Sequence, residues 1–137
     1  MANNINVSLD TSVSPNVLDV EDNGGQNQVS KNSQPTTITW HLSGEIAQGN
    51  FLPVDGSPPG FEWVLPQAPR GGIFTGAVLG ANGNSLSIVD NHLPDNQSGG
   101  QWIYKLRVMY QGQIYSTTSS TGLTATVNNP IIINKDP

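Results

Sequence analysis

The clearest hydrophobic pattern in the chain lies in residues 101–110, QWIYKLRVMY. Its side chains alternate without a break: one side carries Trp102, Tyr104, Leu106, Val108 and Tyr110, and the other carries Ile103, Lys105, Arg107 and Met109. A period of two residues is typical of a β-strand with one apolar face. A second β-branched and aromatic run, 113–118, follows Gln111-Gly112, which predicts a hairpin closed at the glycine. An apolar face of this length needs a second layer of structure to cover it, so the pattern favours a sandwich.

Weaker alternation predicts further strands along the chain. Ile5, Val7 and Leu9 share one face of a first strand, and a second short segment, 16–20, either pairs with it or is irregular. Polar residues fill 22–34, which predicts a long loop. The remaining predicted strands are 36–42, 61–65, 73–79, 85–89, 123–127 and 131–133. Because a proline can begin a strand but not lie inside a central one, Pro130 predicts that the last segment is at an edge or begins a new pairing.

About eight short strands separated by turn residues predict an all-β fold, an immunoglobulin-like or related Greek-key β-sandwich, with a barrel as the main alternative. Trp40 and Tyr104 occupy positions suited to a core tryptophan and a corner tyrosine of such a sandwich. The length of 137 residues predicts one domain covering the whole chain, residues 1–137.

Composition and net charge narrow the range of possible binding partners. The 15 glycines and 10 prolines fit a turn-rich β-protein, and a net charge of -5 with only five lysines and arginines disfavours nucleic acid and anionic membranes. Cysteine is absent, which excludes disulfides and thiolate chemistry. No cationic leader and no long apolar run is visible, so we expect a soluble protein, cytoplasmic by default, with its compartment otherwise unknown.

Candidate metal-binding and catalytic motifs are sparse. His92 lies between Asp90 and Asp95, an oxygen-rich setting that a solvated turn explains better than a metal with so few ligands. A second acidic cluster at 19–23 does not have the spacing of a calcium loop. We therefore expect no metal and no cofactor. The G-x-S-x-G and H-E-x-x-H motifs are also absent from the sequence, which disfavours a conventional built-in triad or zinc peptidase.

Two groups of residues, the tryptophans and a set of charged side chains, suggest a binding or a cross-linking role. The three tryptophans suggest a sugar-stacking platform, although Trp40, Trp63 and Trp102 each share a face with aliphatic residues, which favours core packing. The charged residues Glu62, Lys105 and Arg107 lie on the opposite faces of their strands, where a wetted surface with weak ion pairs is the usual outcome. The sharper alternative is a buried lysine beside a carboxylate and an amide, the arrangement from which some sandwich domains form an isopeptide bond.

Four segments carry a resemblance to a known family: TTITWHLSG, IYKLRVMYQG, IYSTT and the C-terminal VNNPIIINKDP. In the order of these features, over roughly the last two-thirds of the chain, the sequence resembles the DP-EP family. These are small bacterial β-sandwich proteins for which a self-cleaving, aspartic-type peptidase activity has been proposed. The resemblance implies a self-cleavable Asp-Pro bond shortly before the C-terminus and a lysine that links to the freed aspartate.

This chain departs from the family pattern at the scissile bond. The corresponding bond is Asn129-Pro130, and the only Asp-Pro bond, Asp136-Pro137, is terminal. Asparagine lacks the carboxyl group that assists cleavage at its own carbonyl, although its amide nitrogen can attack that carbonyl slowly to form a succinimide. The resemblance thus implies self-processing at Asn129-Pro130, with Glu62 or Asp90 as the base and Lys105 as acceptor.

The alternative is a non-catalytic, immunoglobulin-like binding or structural module that recognises a protein or glycan partner through its loops or an unpaired edge strand. Its edge strands also leave open pairing between copies of the chain as a homo-oligomer. We place this interpretation slightly ahead of self-processing.

Overall fold

The computed structural model describes residues 2–12, 16–21, 26–31, 33–64, 69, 71–94, 97–117 and 130–135. These residues contain one short 3-10 helix, Gly44–Gln48, and eleven strands: β1 (Ala2–Asp10), β2 (Val17–Glu21), β3 (Gln26–Ser30), β4 (Thr36–Leu42), β5 (Asn50–Phe51), β6 (Phe61–Trp63), β7 (Val78–Leu79), β8 (Ser85–Asp90), β9 (Gly100–Tyr110), β10 (Gln113–Ser116) and β11 (Ile131–Lys135). The strands form two mixed sheets, which confirms the predicted all-β sandwich. The immunoglobulin-like topology stays a prediction.

The first sheet has the strand order β2-β1-β4-β8-β7. Strand β1 pairs antiparallel with β2 and parallel with β4, while β4 pairs antiparallel with β8. The alternation predicted for 36–42 is confirmed, because Ile38, Trp40 and Leu42 are buried on one face of β4. The short segment 16–20 also forms a strand, since β2 pairs with β1 along its length.

The second sheet is built around β9, as its pattern predicts. Tyr104, Leu106 and Val108 are fully buried, and the intervening residues lie on the outer face. One side of β9 pairs with β11 along its first half and with β10 along its second half. The β9–β10 hairpin closes at Gln111-Gly112, where both residues have positive φ, at 50° and 77°. That geometry belongs to a two-residue turn whose twist matches the flanking strands.

The other side of β9 pairs with β5 and β6, which are two parts of one interrupted strand. Residues 53–59 leave the sheet between them, and the chain returns at Gly60, whose carbonyl accepts the Arg107 N–H. A Cβ at Gly60 would overlap the Leu52 carbonyl oxygen. The two ends of the excursion therefore approach so closely that only glycine fits at this position.

The buried apolar residues of both sheets form one cluster, whose centre is aromatic. Trp40 of the first sheet contacts Tyr104 and Phe61 of the second, with ring centroids 5.1 Å and 5.5 Å apart. The Trp40 indole N–H donates to the Tyr104 hydroxyl at 2.9 Å. This buried bond between the sheets satisfies the polar atom of each ring, so both can pack in the core.

One expectation from the sequence is wrong. The predicted loop 22–34 contains strand β3, which pairs in parallel with β11 although Val29 is its only apolar residue. Of the two alternatives predicted for the last segment, an edge position or a new pairing, the structure shows the second, because β11 lies between β9 and β3. Pro130 precedes β11, and its carbonyl accepts the Tyr104 N–H. The predicted strand 123–127 lies outside the described residues.

No helix in the described part of the chain is long and apolar enough to cross a membrane.

Candidate functional site

Glu62 and Lys105 face each other across the β6–β9 pair, on the outer side of the second sheet. Their Cα atoms are register partners, and Arg107 lies two residues along β9. Arg107 Nη2 contacts Glu62 Oε1 at 2.5 Å, and Arg107 Nη1 donates to the Pro59 carbonyl at 2.9 Å. The sequence pattern thus identified a true charged cluster, but its carboxylate is bonded to the arginine.

Lys105 is half-buried in this cluster. Burial lowers the pKa of its ammonium group, the positive charge of Arg107 lowers it further, and Glu62 opposes both effects. A lowered pKa increases the fraction of neutral amine, which is the nucleophilic form.

Pro130 lies close to the same stretch of β9, because its carbonyl accepts the N–H of Tyr104, the neighbour of Lys105, at 3.1 Å. Pro130 itself is buried. Asn129, the residue before the predicted scissile bond, lies outside the described residues. The structure thus pairs Glu62 with Lys105, while Pro130 bonds to the backbone of β9 on the edge opposite β6.

Asp90 is separate from that group. It ends β8, and its side chain meets Asn134 of β11. Because a strand rises about 3.3 Å per residue, Asn134 lies roughly 13 Å along the chain from Pro130. Asp90 is therefore badly placed to act as a base at Asn129-Pro130.

Asp90 instead belongs to a buried polar cluster at one end of the sandwich, formed by Asp90, His92, Ser98 and Asn134, each at most 3% exposed. Asn134 Nδ2 donates to Asp90 Oδ1 at 3.1 Å and to the Ser98 carbonyl at 2.8 Å. Burial raises the pKa of Asp90 to about 7, and the hydrogen bond from Asn134 opposes that shift. The cluster joins β8 of the first sheet to β11 of the second.

His92 links the same region to the end of β11. Its Nε2 lies 2.6 Å from the Lys135 carbonyl oxygen, and its Nδ1 lies 2.6 Å from Ser98 Oγ. Because a carbonyl only accepts, Nε2 carries the proton, and in the neutral ring Nδ1 then accepts from the serine hydroxyl. His92 therefore has both nitrogens committed to structure. The described residues contain no group of three or more His, Cys, Asp or Glu side chains that would hold a metal ion.

A groove of about 280 Å³ opens beside β6, between the two sheets. On one side it is lined by Phe61, Glu62 and Trp63, and on the other by residues 75–77, which lead into β7. Val54 and the core residue Ile88 complete the lining. Most of these residues are apolar, and Glu62 and Thr75 are the polar ones, the composition expected of a small ligand site.

The aromatic rings of the groove are held by their neighbours. Trp63 packs edge-on against Phe61 at 5.0 Å and at a tilt against Phe74 at 4.8 Å. Phe61 in turn stacks on Tyr104 with an interplanar angle of 14°. Trp63 is half-buried, whereas Trp40 is fully buried, so the tryptophan at the groove differs from the one that fills the core.

Sequence reasoning missed the pairing of Asp90 with Asn134. The signal available was the alternation of residues 131–135, which puts Asn134 on the same face as the fully buried Ile132. The groove was also missed, because it depends on the approach of residues 75–77 to β6. Comparison of the sequence with known family models and with curated proteins gives no match.

Proposed function

We propose that this protein is a non-catalytic β-sandwich binding module whose ligand site is the groove between β6 and residues 75–77. The observation that carries the proposal is the groove itself, with a half-buried tryptophan on its wall. Its volume lies near the lower end of the range of ligand sites, roughly 300–1,000 Å³. A site of that size suits one small group of a larger partner.

The lining favours a glycan as that partner. The apolar face of a sugar ring packs on an aromatic ring, and Trp63 offers one whose orientation is fixed by Phe61 and Phe74. Sugar hydroxyls need hydrogen-bonding groups close to the aromatic face, and Thr75 lines the groove. Its Oγ1 donates to the Gly76 carbonyl and accepts from the Val89 N–H, which leaves one lone pair to accept from a sugar hydroxyl.

A glycan array tests this proposal with the wild-type chain and two variants. Trp63→Ala removes the stacking surface, so we expect binding to fall about fivefold or more, since a stacked ring contributes on the order of 1 kcal/mol. Ile114→Ala is the matched control, because it removes an exposed apolar side chain on β10, outside the groove lining. Equal binding by all three proteins, or no binding by the wild type, would reject the glycan site.

Self-processing is the second candidate, supported by the pairing of Glu62 with Lys105 and by the backbone bond of Pro130 to Tyr104, the neighbour of Lys105. In this reaction the Asn129 side-chain nitrogen attacks its own carbonyl, and Pro130 leaves as an amine. The Lys105 amine then opens the resulting succinimide to form an isopeptide bond. Glu62 is the base for these proton transfers, although its ion pair with Arg107 restrains it.

Denaturing intact-mass measurement distinguishes the two candidates. The binding module predicts one full-length species of 14.5 kDa that does not change on storage. Self-processing predicts a fragment that begins at Pro130, or a Lys105-linked product, and both are lost in Asn129→Ala. Denaturing conditions are needed because β3 and β9 would hold a cleaved β11 in the sheet.

A further inference from the structure

The polar cluster beside β11 contains hydrogen-bonding atoms that are buried and unmatched. Among the described residues, three buried side-chain atoms have no hydrogen-bond partner: Asp90 Oδ2, Asn134 Oδ1 and Trp102 Nε1. Two of them belong to residues that already share a hydrogen bond, since Asn134 Nδ2 donates to Asp90 Oδ1. Buried polar groups in proteins are nearly always paired, so an unmatched acceptor on each partner of one bond requires an explanation.

The orientation of the Asn134 amide is fixed by Ser98. Its nitrogen lies 2.8 Å from the Ser98 carbonyl and 3.1 Å from Asp90 Oδ1, and both of these atoms are acceptors when Asp90 is ionised. Rotating the amide by half a turn would place its oxygen against them. The amide oxygen therefore needs a separate donor, and a protonated Asp90 is one on a side chain already bonded to this amide.

A single proton resolves both unmatched acceptors. A proton on Asp90 Oδ2 converts that atom from an acceptor into a donor. The unmatched acceptor Asn134 Oδ1 then receives the new hydrogen bond. A carboxylic acid and a primary amide form a ring of two reciprocal hydrogen bonds, of which the Nδ2–Oδ1 bond is one. We propose that Asp90 is held as a neutral acid that donates to Asn134, and that this acid–amide pair is a proton-controlled clasp between β8 and β11.

The surroundings of Asp90 support a neutral acid. Burial raises its pKa to about 7. From β4 the register partner is Thr36, which is uncharged, and from residues 71–74 the neighbour is Phe74. His92 is the titratable neighbour, with both ring nitrogens bonded elsewhere, and Lys135 is exposed at the end of β11. No cation of the described residues forms an ion pair with the Asp90 carboxylate.

The position of β11 determines how opening of the clasp affects the second sheet. Strand β11 lies between β9 and β3, so loosening it also weakens the attachment of β3 to the sheet. An opened β11 exposes Asp90 to water, where the carboxyl loses its proton at an ordinary acidity. Opening therefore releases a proton, and it becomes easier as the pH rises until the closed form also ionises. The clasp is tightest in acid and loosest above neutrality.

Carboxyl-carbon NMR of the wild-type chain, with hydrogen exchange of the β11 amides, tests the clasp. We expect the Asp90 carboxyl to titrate near pH 7, and the intrinsic-rate-corrected protection of β11 to fall roughly tenfold per pH unit between pH 5 and 6 and to level off above about 7. An Asp90 midpoint near 3.8, or β11 protection that does not vary between pH 4 and 7, would overturn the proposal.

Trp102→Phe separates the clasp from its closest rival. Ile132 pairs with Trp102 and Asn134 pairs with Gly100, so the unmatched indole N–H lies next to the cluster along β9. If that N–H donates to an ionised Asp90, the Asp90 midpoint is low in the wild type and rises in Trp102→Phe, which contradicts the proposal. The clasp predicts a midpoint near 7 in the wild type that stays within about half a pH unit in the variant.

Discussion

The sharpest consequence of the buried carboxyl is a change in stability with pH that a single conservative substitution should remove. The folded chain holds the Asp90 proton to about pH 7, whereas the ordinary pKa of an aspartate is 3.8. Between these values the folded state binds one more proton than the unfolded state, so the free energy of unfolding falls as pH rises. At about 1.4 kcal/mol per pH unit, the full effect is at most about 4 kcal/mol, and it is complete above about pH 7.

The assay is urea unfolding at intervals from pH 4 to 8 for the wild type and Asp90→Asn. Other titrating groups contribute equally to both proteins, so the difference between the two free energies isolates Asp90. We expect the wild type to lose up to about 4 kcal/mol relative to the variant across this range, because the amide introduced by the substitution keeps a donor at the same position without a proton to lose. Asp55→Asn, at an exposed loop position, is the control and should shift the free energy by less than about 0.5 kcal/mol. If the difference is constant with pH, or grows in favour of the wild type, Asp90 does not carry a raised pKa in the folded state.

Three further predictions concern other parts of the structure. Gly60→Ala should cost at least about 3 kcal/mol in urea unfolding because its Cβ meets the Leu52 carbonyl, whereas Gly71→Ala, with open space around it, should cost less than about 1 kcal/mol; equal costs would contradict the close approach. Tyr104→Phe should cost about 1–3 kcal/mol by leaving the buried Trp40 N–H unpaired, and Tyr115→Phe, whose hydroxyl bonds to exposed Gln113, should cost far less. The Lys105 amine, followed by NMR after reductive methylation, should titrate below the same methylated amine in the urea-unfolded chain; equal midpoints would argue against its burial.

The sequence predicts those parts of the fold in which side chains reveal the backbone pattern. The alternation of residues 101–110 correctly predicts β9, its buried face and the hairpin, because every second residue on that face is large and apolar. Strand β3 is not predicted because Val29 is its only apolar residue, and its pairing with β11 leaves no periodic pattern in the sequence. Because residues 53–59 interrupt the pattern, the sequence does not show that β5 and β6 are parts of one strand.

The candidate sites also differ in whether a local sequence pattern reveals them. Glu62 and Lys105 are correctly predicted as neighbours of opposite charge, since each lies on the outer face of its own strand. The contact between Asp90 and Asn134 joins residues 44 positions apart in the chain and lying in different sheets, so no local pattern reveals it. The groove likewise arises only when residues 75–77 pack near β6. Local periodicity predicts strands and faces, while the sites depend on how distant strands meet.

The indole N–H signals of the three tryptophans offer the most direct test of the groove as a binding site. Trp63 lines the groove, Trp40 is buried against Tyr104, and Trp102 lies near β11, so each signal reports on a different region. During titration with the oligosaccharide selected from the array, we expect the Trp63 signal to shift saturably while those of Trp40 and Trp102 stay in place. An unmoved Trp63 signal, or a shift confined to Trp102, would contradict it.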